Sequence, residues 1–240
     1  MRAWIWIGLT LLALSARAER WIVAADNAFP PYSFLDPATQ RPAGLDTDIV
    51  TATLQAIGQP FDLELYPWER VKKMLDAKMV DMAYQFVGTP ERMAQYRLVG
   101  PIRFGVTVFM TRSEMDISYN ELSDLAPYTI GTVHGFAYTD AFDKASYLRK
   151  DAGATSPAQL LQKLMVKRVD LIVGDKTQLL YLARQQGVID RIKLLPKPLA
   201  EVARYVGFQR GDNDKADRFA QGLEKLRRDG TLERIISTWH

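Results

Sequence analysis

The sequence predicts a two-lobed α/β protein, and three observations carry that expectation. Strand-like and helix-like segments alternate along most of the chain, as in mostly parallel sheets flanked by helices. The alternation is interrupted twice, at 103–112 and 203–209, by extended runs without a turn signal. These two hinge crossings divide the chain into an α/β block at 19–107 (lobe 1), a second block at 108–205 (lobe 2), and a return to lobe 1 at 206–240, which carries the C-terminal helices.

The elements follow in order. "WIVAAD" (21–26) is a short apolar strand, and the aromatic, proline-rich stretch to Gly44 is a loop. Helical spacing through Ile49, Leu54 and Ile57, with Gly58 as a stop, predicts the first helix. "FDLELY" alternates as a strand, "WERVKKMLDA" is amphipathic and helical, and "VDMAYQF" is a strand. Thr89 followed by Pro90 reads as an N-cap and first helical residue. In lobe 2, "YTIGTV" is a strand and "HGFAYTDAF" a turn into a short helix. "SPAQLLQKLMVK" is a capped helix, followed by the strand "VDLIV", a helix opening at Asp175, and the strand "IKLL". Two helices end the chain, the first closed by Gly230.

Residues 1–18 stand apart. An early Arg2, an apolar run from Ala3 to Leu14 and Ala16-Arg17-Ala18 form the pattern of a secretory signal peptide cleaved after Ala18. The apolar run is too short to span a bilayer. Cleavage removes Arg2 and Arg17 from the 31 basic residues and leaves them nearly level with the 28 acidic ones. The apparent pI of 9.0 therefore does not point to nucleic acid, and no dense basic run is present. The chain has no cysteine and only two histidines, His134 and His240, so neither a thiolate metal site nor a cofactor is expected. The expected location is periplasmic, and the expected state a monomer.

Arg92 falls at the third helical position after Thr89, where a capping box would place Glu or Gln. A cation there opposes the helix dipole, unless its planar fork and the free N–H groups hold an anion together. The competing reading is a surface arginine in a salt bridge. Asp175 ends an apolar strand and opens a helix. Its sequence Asp175-Lys176-Thr177-Gln178 suits a cap, and a second carboxylate oxygen remains free for a ligand ammonium. Phe29, Tyr32, Trp68, Tyr84, Phe136 and Tyr138 are aromatics at loops and strand–helix junctions, where a ligand wall and a core plug compete as readings. His134 ends "IGTV" at the same edge. Asp46 and Asp48 suit a helix start and receive no ligand role, and Glu69 and Arg70 read as solvent or ion-pair residues. No nucleophile, base and orienter can be assembled, and no phosphate-binding or metalloprotease motif is present.

"AFPPYSF", "GLDTDIV", "VDMAYQFVGTPER" with "GPI", "VDLIVGD" and "VGFQRGD...LEKLRRDGTLERI" occur in this order and spacing over the whole chain beyond residue 18. The set resembles the family 3 bacterial extracellular solute-binding proteins, polar amino-acid binding components of ABC importers, in a short divergent branch. The resemblance implies a type II periplasmic-binding-protein clamshell. It also implies that Arg92 holds a ligand carboxylate, Asp175 an ammonium, and Phe29 and Trp68 the walls. Tyr84, Gln85 and Val87 stand where the family often has small hydroxyl residues, and His134-Gly135-Phe136-Ala137-Tyr138 replaces a Gly-Thr loop. The candidate ligand-binding set is thus Arg92, Asp175, Phe29, Trp68, Tyr84, Gln85, Thr89, Phe136, Tyr138 and His134. The expected activity is capture of a small amino-acid-like ligand for an inner-membrane ABC permease, without catalysis. One rival is a periplasmic dehydratase on the same scaffold, with Asp175 or His134 moving a proton. Another is a sensor that docks on a membrane receptor.

Overall fold

The computed structural model describes residues 19–239; the signal-peptide reading of residues 1–18, and His240, lie outside the described residues. The first block opens with β1 (Trp21–Asp26) and a small three-stranded sheet, β2 (Ala28–Phe29), β3 (Ser33–Leu35) and β4 (Pro42–Ala43). It continues through α1 (Leu45–Ala56), β5 (Phe61–Tyr66), α2 (Trp68–Asp76), β6 (Met82–Val87) and α3 (Pro90–Gln95). A 17-residue strand, β7 (Tyr96–Arg112), leads into the second block. There β8 (Thr129–Val133), α4 (Asp140–Lys144), β9 (Arg149–Ala154), α5 (Pro157–Met165), β10 (Leu171–Asp175), α6 (Lys176–Gln185) and β11 (Ile192–Leu194) follow. The chain returns on β12 (Ala200–Gln209) and ends in α7 (Asn213–Arg228) and α8 (Thr231–Ser237).

The two blocks share one nine-stranded sheet in the order β5-β1-β6-β12-β7-β10-β8-β9, with β11 also paired to β7. Each end is parallel: β5, β1 and β6 on one side, β10, β8 and β9 on the other. The centre is antiparallel. β12 pairs with β7 from Ala200↔Thr107 to Gln209↔Tyr96, with an irregularity between Arg204 and Val206. The two extended crossings are therefore one paired ribbon. It starts earlier than the sequence suggests on β7 and is paired on both sides of a break at Gly100–Ile102.

Apolar cores lie on either side of the ribbon. Trp21, Ile49, Leu54, Met82, Phe208 and Phe219 pack where α1 and α7 cover the first block. Met110, Leu160, Leu164, Ile172 and Leu179 pack under α5 and α6 in the second. Burying such side chains contributes about 1.5–3 kcal/mol each. Phe136, on the loop after β8, packs against clusters on both sides of the ribbon. The local signals act as expected. Thr89 Oγ1 accepts the Arg92 N–H at 3.2 Å and Pro90 occupies the first turn; Ser156 caps α5; Gly230, at φ 72°, ends α7 and starts α8. At Gly44 (φ 122°) a side chain would run into the Tyr32 backbone, which fixes the turn into α1.

Candidate functional site

The carboxyl ends of β1, β6 and β10, the start of α6 and the loop after β8 converge on a cavity between the two blocks. This is where open α/β sheets bind ligands. The empty space within it is about 550 Å³, part of it open to solvent, within the range of small-molecule sites. The blocks are drawn together around it.

Arg92 is buried, and its Nη2 donates to the Gly135 carbonyl at 3.1 Å, from α3 across to the loop after β8. Lys72 Nζ reaches the same carbonyl at 3.4 Å. The Arg92 guanidinium lies 5.7 Å from the ring centres of both Trp68 and Phe86. Among the described residues no carboxylate forms an ion pair with it. Burial, and then the neighbouring Arg204, holds it below its ordinary range, and it stays charged at neutral pH.

Asp175 caps α6: its Oδ1 accepts the Gln178 N–H at 3.2 Å. The Gln178 side chain does not complete a capping box but reaches Ala28 O at 3.4 Å, across the cleft. The same Oδ1 accepts the Tyr32 hydroxyl at 2.9 Å, while Oδ2 is buried without a hydrogen-bond partner. Arg103 Nη1 lies 3.9 Å from that oxygen. Arg103 itself is clamped by Asp46, with Nε–Oδ1 at 2.5 Å and Nη2–Oδ2 at 3.1 Å, and its guanidinium stacks 3.4 Å from the Tyr32 ring centre. Burial opposes the Arg103 charge, but Asp46 and then Tyr32 and Asp175 outweigh it and raise its pKa.

Phe29, Trp68, Gln85, Arg92, Phe136, Tyr138 and Asp175 of the sequence-derived set line this cavity together. Phe29 and Phe136 meet edge to face at 5.9 Å, one ring from each block. Gln85 lines it at φ 84°, a left-handed backbone rare outside glycine and a form of strain that gathers at functional sites.

Three members of the set are not brought there. Tyr84 is fully buried in the first core and bonds Thr47 at 2.8 Å, because alternate residues of β6 face opposite sides and Gln85 takes the cleft side. His134 is exposed, since Gly135, at φ 75°, turns the loop so that Phe136 points inward. Thr89 caps α3 and lines a second, more open depression beside the cavity, shared with Arg92, Phe136 and Tyr138. Asp46 is more than a helix-start charge: it is the fully buried counter-ion of Arg103. Glu69 pairs with Lys72 at 2.7 Å, as an ion-pair residue would.

Sequence reasoning missed Arg103, Arg204, Asp26 and Gln178. The available signal was an arginine inside each apolar crossing run, where a strand shared by two blocks leaves little exit to solvent.

Two α/β halves on an antiparallel ribbon, closed over a cavity at strand ends and helix starts, form a type II periplasmic-binding-protein fold. The chain belongs to the bacterial extracellular solute-binding proteins, family 3, whose family model matches residues 21–240. It is 22% identical over 219 residues to the L-cystine-binding protein TcyA of Bacillus subtilis, covering 90% of this chain and 80% of that protein. It is 26% identical over 237 residues to a probable amino-acid ABC transporter-binding protein of Haemophilus influenzae, covering 93% and 85%. Among solved structures, a histidine kinase sensor domain with similarity to periplasmic binding proteins superimposes with a TM-score of 0.83 at 21% identity, covering 93% of this chain and 96% of that one.

Proposed function

We propose that this protein is the solute-binding component of an ABC-type importer, capturing a small amino-acid-like ligand between its lobes for delivery to an inner-membrane permease. The observation that carries the reading is Arg92: a buried guanidinium without a carboxylate partner, lining the interlobe cavity and satisfied across the cleft only by a backbone carbonyl. A ligand carboxylate would replace that carbonyl with a charge-assisted, bidentate pair. The free Asp175 Oδ2 receives the ligand ammonium, and Phe29, Trp68, Phe136 and Tyr138 form the walls. Lobe 1 takes 19–107 and 206–240, lobe 2 takes 108–205, and their closure presents the ligand to the permease. The chain is exported after cleavage at Ala18, acts as a periplasmic monomer, and makes or breaks no bond.

The superposition on a kinase sensor domain favours a second reading, in which the closed form docks on a membrane receptor. Both readings share the same ligand step. A thermal-shift screen of the purified protein against amino acids, polyamines and dicarboxylates tests it. A ligand at 100 times its Kd adds ~2.7 kcal/mol, a rise in Tm of roughly 5–10 °C for a chain of this length. Arg92→Ala should abolish the rise. No shift across the panel would overturn the amino-acid assignment.

A further inference from the structure

We propose that the cleft selects a net-neutral α-amino acid with an apolar side chain, and that Phe136 is a specificity-determining residue on the apolar wall that receives that side chain. This rests on the reading of Arg92 above and goes further, to the class of ligand.

The ionised groups of the cleft balance one another without a ligand. Arg92 and Arg204 line the cavity, and so do Asp26 and Asp175. Burial raises the Asp26 pKa to about 6, so its carboxylate is ionised at neutral pH. Behind them Arg103, opposite Arg204 across the ribbon, forms a buried pair with Asp46. Burial and then Arg103 disfavour the Arg204 charge, while Asp175 and Asp46 support it. A ligand with a net charge of either sign would leave one buried charge unmatched, which is costly. An amino-acid zwitterion with an uncharged side chain keeps the balance.

The lining is divided by chemistry. Gln85, Arg92 and Arg204 stand on neighbouring elements: Arg204 pairs with Val87, close after Gln85 on β6, and α3 with Arg92 follows that strand. Gln85 Nε2 and Arg204 Nε are buried donors without acceptors. A single carboxylate has roughly four lone-pair sites, so the ligand's α-carboxylate can serve this group of donors by itself.

The wall built by β8, the loop after it, α5, β10 and α6 is different. It presents Val133, Phe136, Pro157, Leu160, Val173 and Leu179 to the cavity. Phe29 meets Phe136 there edge to face, and the Leu179 side chain lies against Gly174. The polar side chains of this wall are engaged: Tyr138 Oη accepts the Val133 N–H at 3.0 Å, the Gln178 amide reaches Ala28 O, and Asp175 Oδ1 is shared by Tyr32 and Gln178. Asp175 Oδ2, the oxygen left open, takes the ligand ammonium. A polar ligand side chain on this wall would lose water without gaining partners, whereas an apolar one gains from burial.

Isothermal titration of the purified protein with L-leucine, L-asparagine and L-aspartate decides it, because the three side chains share one branched shape and differ in polarity and charge. L-Phenylalanine, L-methionine, L-glutamine and L-lysine extend the comparison to longer side chains. The best apolar amino acid should bind at least about 10-fold more tightly than any polar or charged one. Phe136→Gln sets an amide into the wall and should narrow that ratio, whereas Arg92→Ala should weaken every amino acid alike. An unchanged ratio in Phe136→Gln would overturn the role given to Phe136. If a polar or charged amino acid binds the wild-type protein as tightly as the apolar ones, the inference falls, and loss of that binding in Arg92→Ala would leave the proposed function standing. If no amino acid binds, both fall. Should Phe136→Gln fail to fold, the wild-type ratio decides alone.

Discussion

Asp26, at the end of β1, is a carboxyl group that folding places at a disadvantage. It is 4% exposed and lines the cavity. Its Oδ1 accepts the Ala28 N–H at 3.0 Å, and its own N–H donates to Gln85 Oε1 at 3.1 Å. Burial raises its pKa from 3.8 to about 6, with the N–H groups of Ala28 and Asn27 offsetting part of the rise. Between these two pH values the native state therefore holds more protons than the unfolded chain. Stability from this group falls as pH rises through that window, and the full penalty stands above pH 6. The shift corresponds to about 3 kcal/mol. Asp26→Asn keeps the shape and the acceptor but cannot ionise. Urea unfolding of both proteins from pH 4 to pH 8, followed by tryptophan fluorescence, isolates the effect, because other titrations cancel in the difference. The variant should gain on the wild type by up to about 3 kcal/mol between the two ends, with most of the change between pH 4 and 6. Parallel profiles, or a wild type that gains with pH, would refute the reasoning.

Two other changes probe the buried network. Asp46→Asn strips Arg103 of its counter-ion and should cost about 3–5 kcal/mol in urea unfolding, whereas replacing the pair together with Asp46→Leu and Arg103→Met should recover most of that loss; equal losses in the single and double variants would contradict it. At Gly105 a methyl group would lie 2.5 Å from Asp175 Oδ2 and 3.0 Å from Arg103 Nη1. Gly105→Ala should therefore destabilise by about 1–3 kcal/mol, and an effect within about 0.5 kcal/mol would show that the network yields freely.

Local physics made much of this molecule legible in the sequence. Thr89-Pro90, Ser156-Pro157 and Asp175 declare helix starts through short-range hydrogen bonding, and each cap forms. The crossings were legible because the single glycine in each run, Gly105 and Gly207, stands alone among β-forming residues without a second turn residue to end the strand. Direction was harder. Every residue of β6 is buried, so hydrophobicity could not say whether Tyr84 or Gln85 faces the cleft. In the loop after β8 the positive φ of Gly135 decides between His134 and Phe136, and no pattern of side chains encodes it. β9 was missed because "RKDAGA" has few β-formers and sits at the sheet edge. The pairing of Arg103 with Arg204 depends on the register of strands a hundred residues apart, which only the folded ribbon defines.

That ribbon changes what closure means mechanically. β7 and β12 pair from Ala200↔Thr107 at one half to Gln209↔Tyr96 at the other, so the halves are not tethered by slack loops that rotate freely. Opening of the proposed clamshell would have to bend this paired strip, as a leaf spring bends. On the proposed function, a ligand would then work with or against the stiffness of a shared strip, not between two independent bodies.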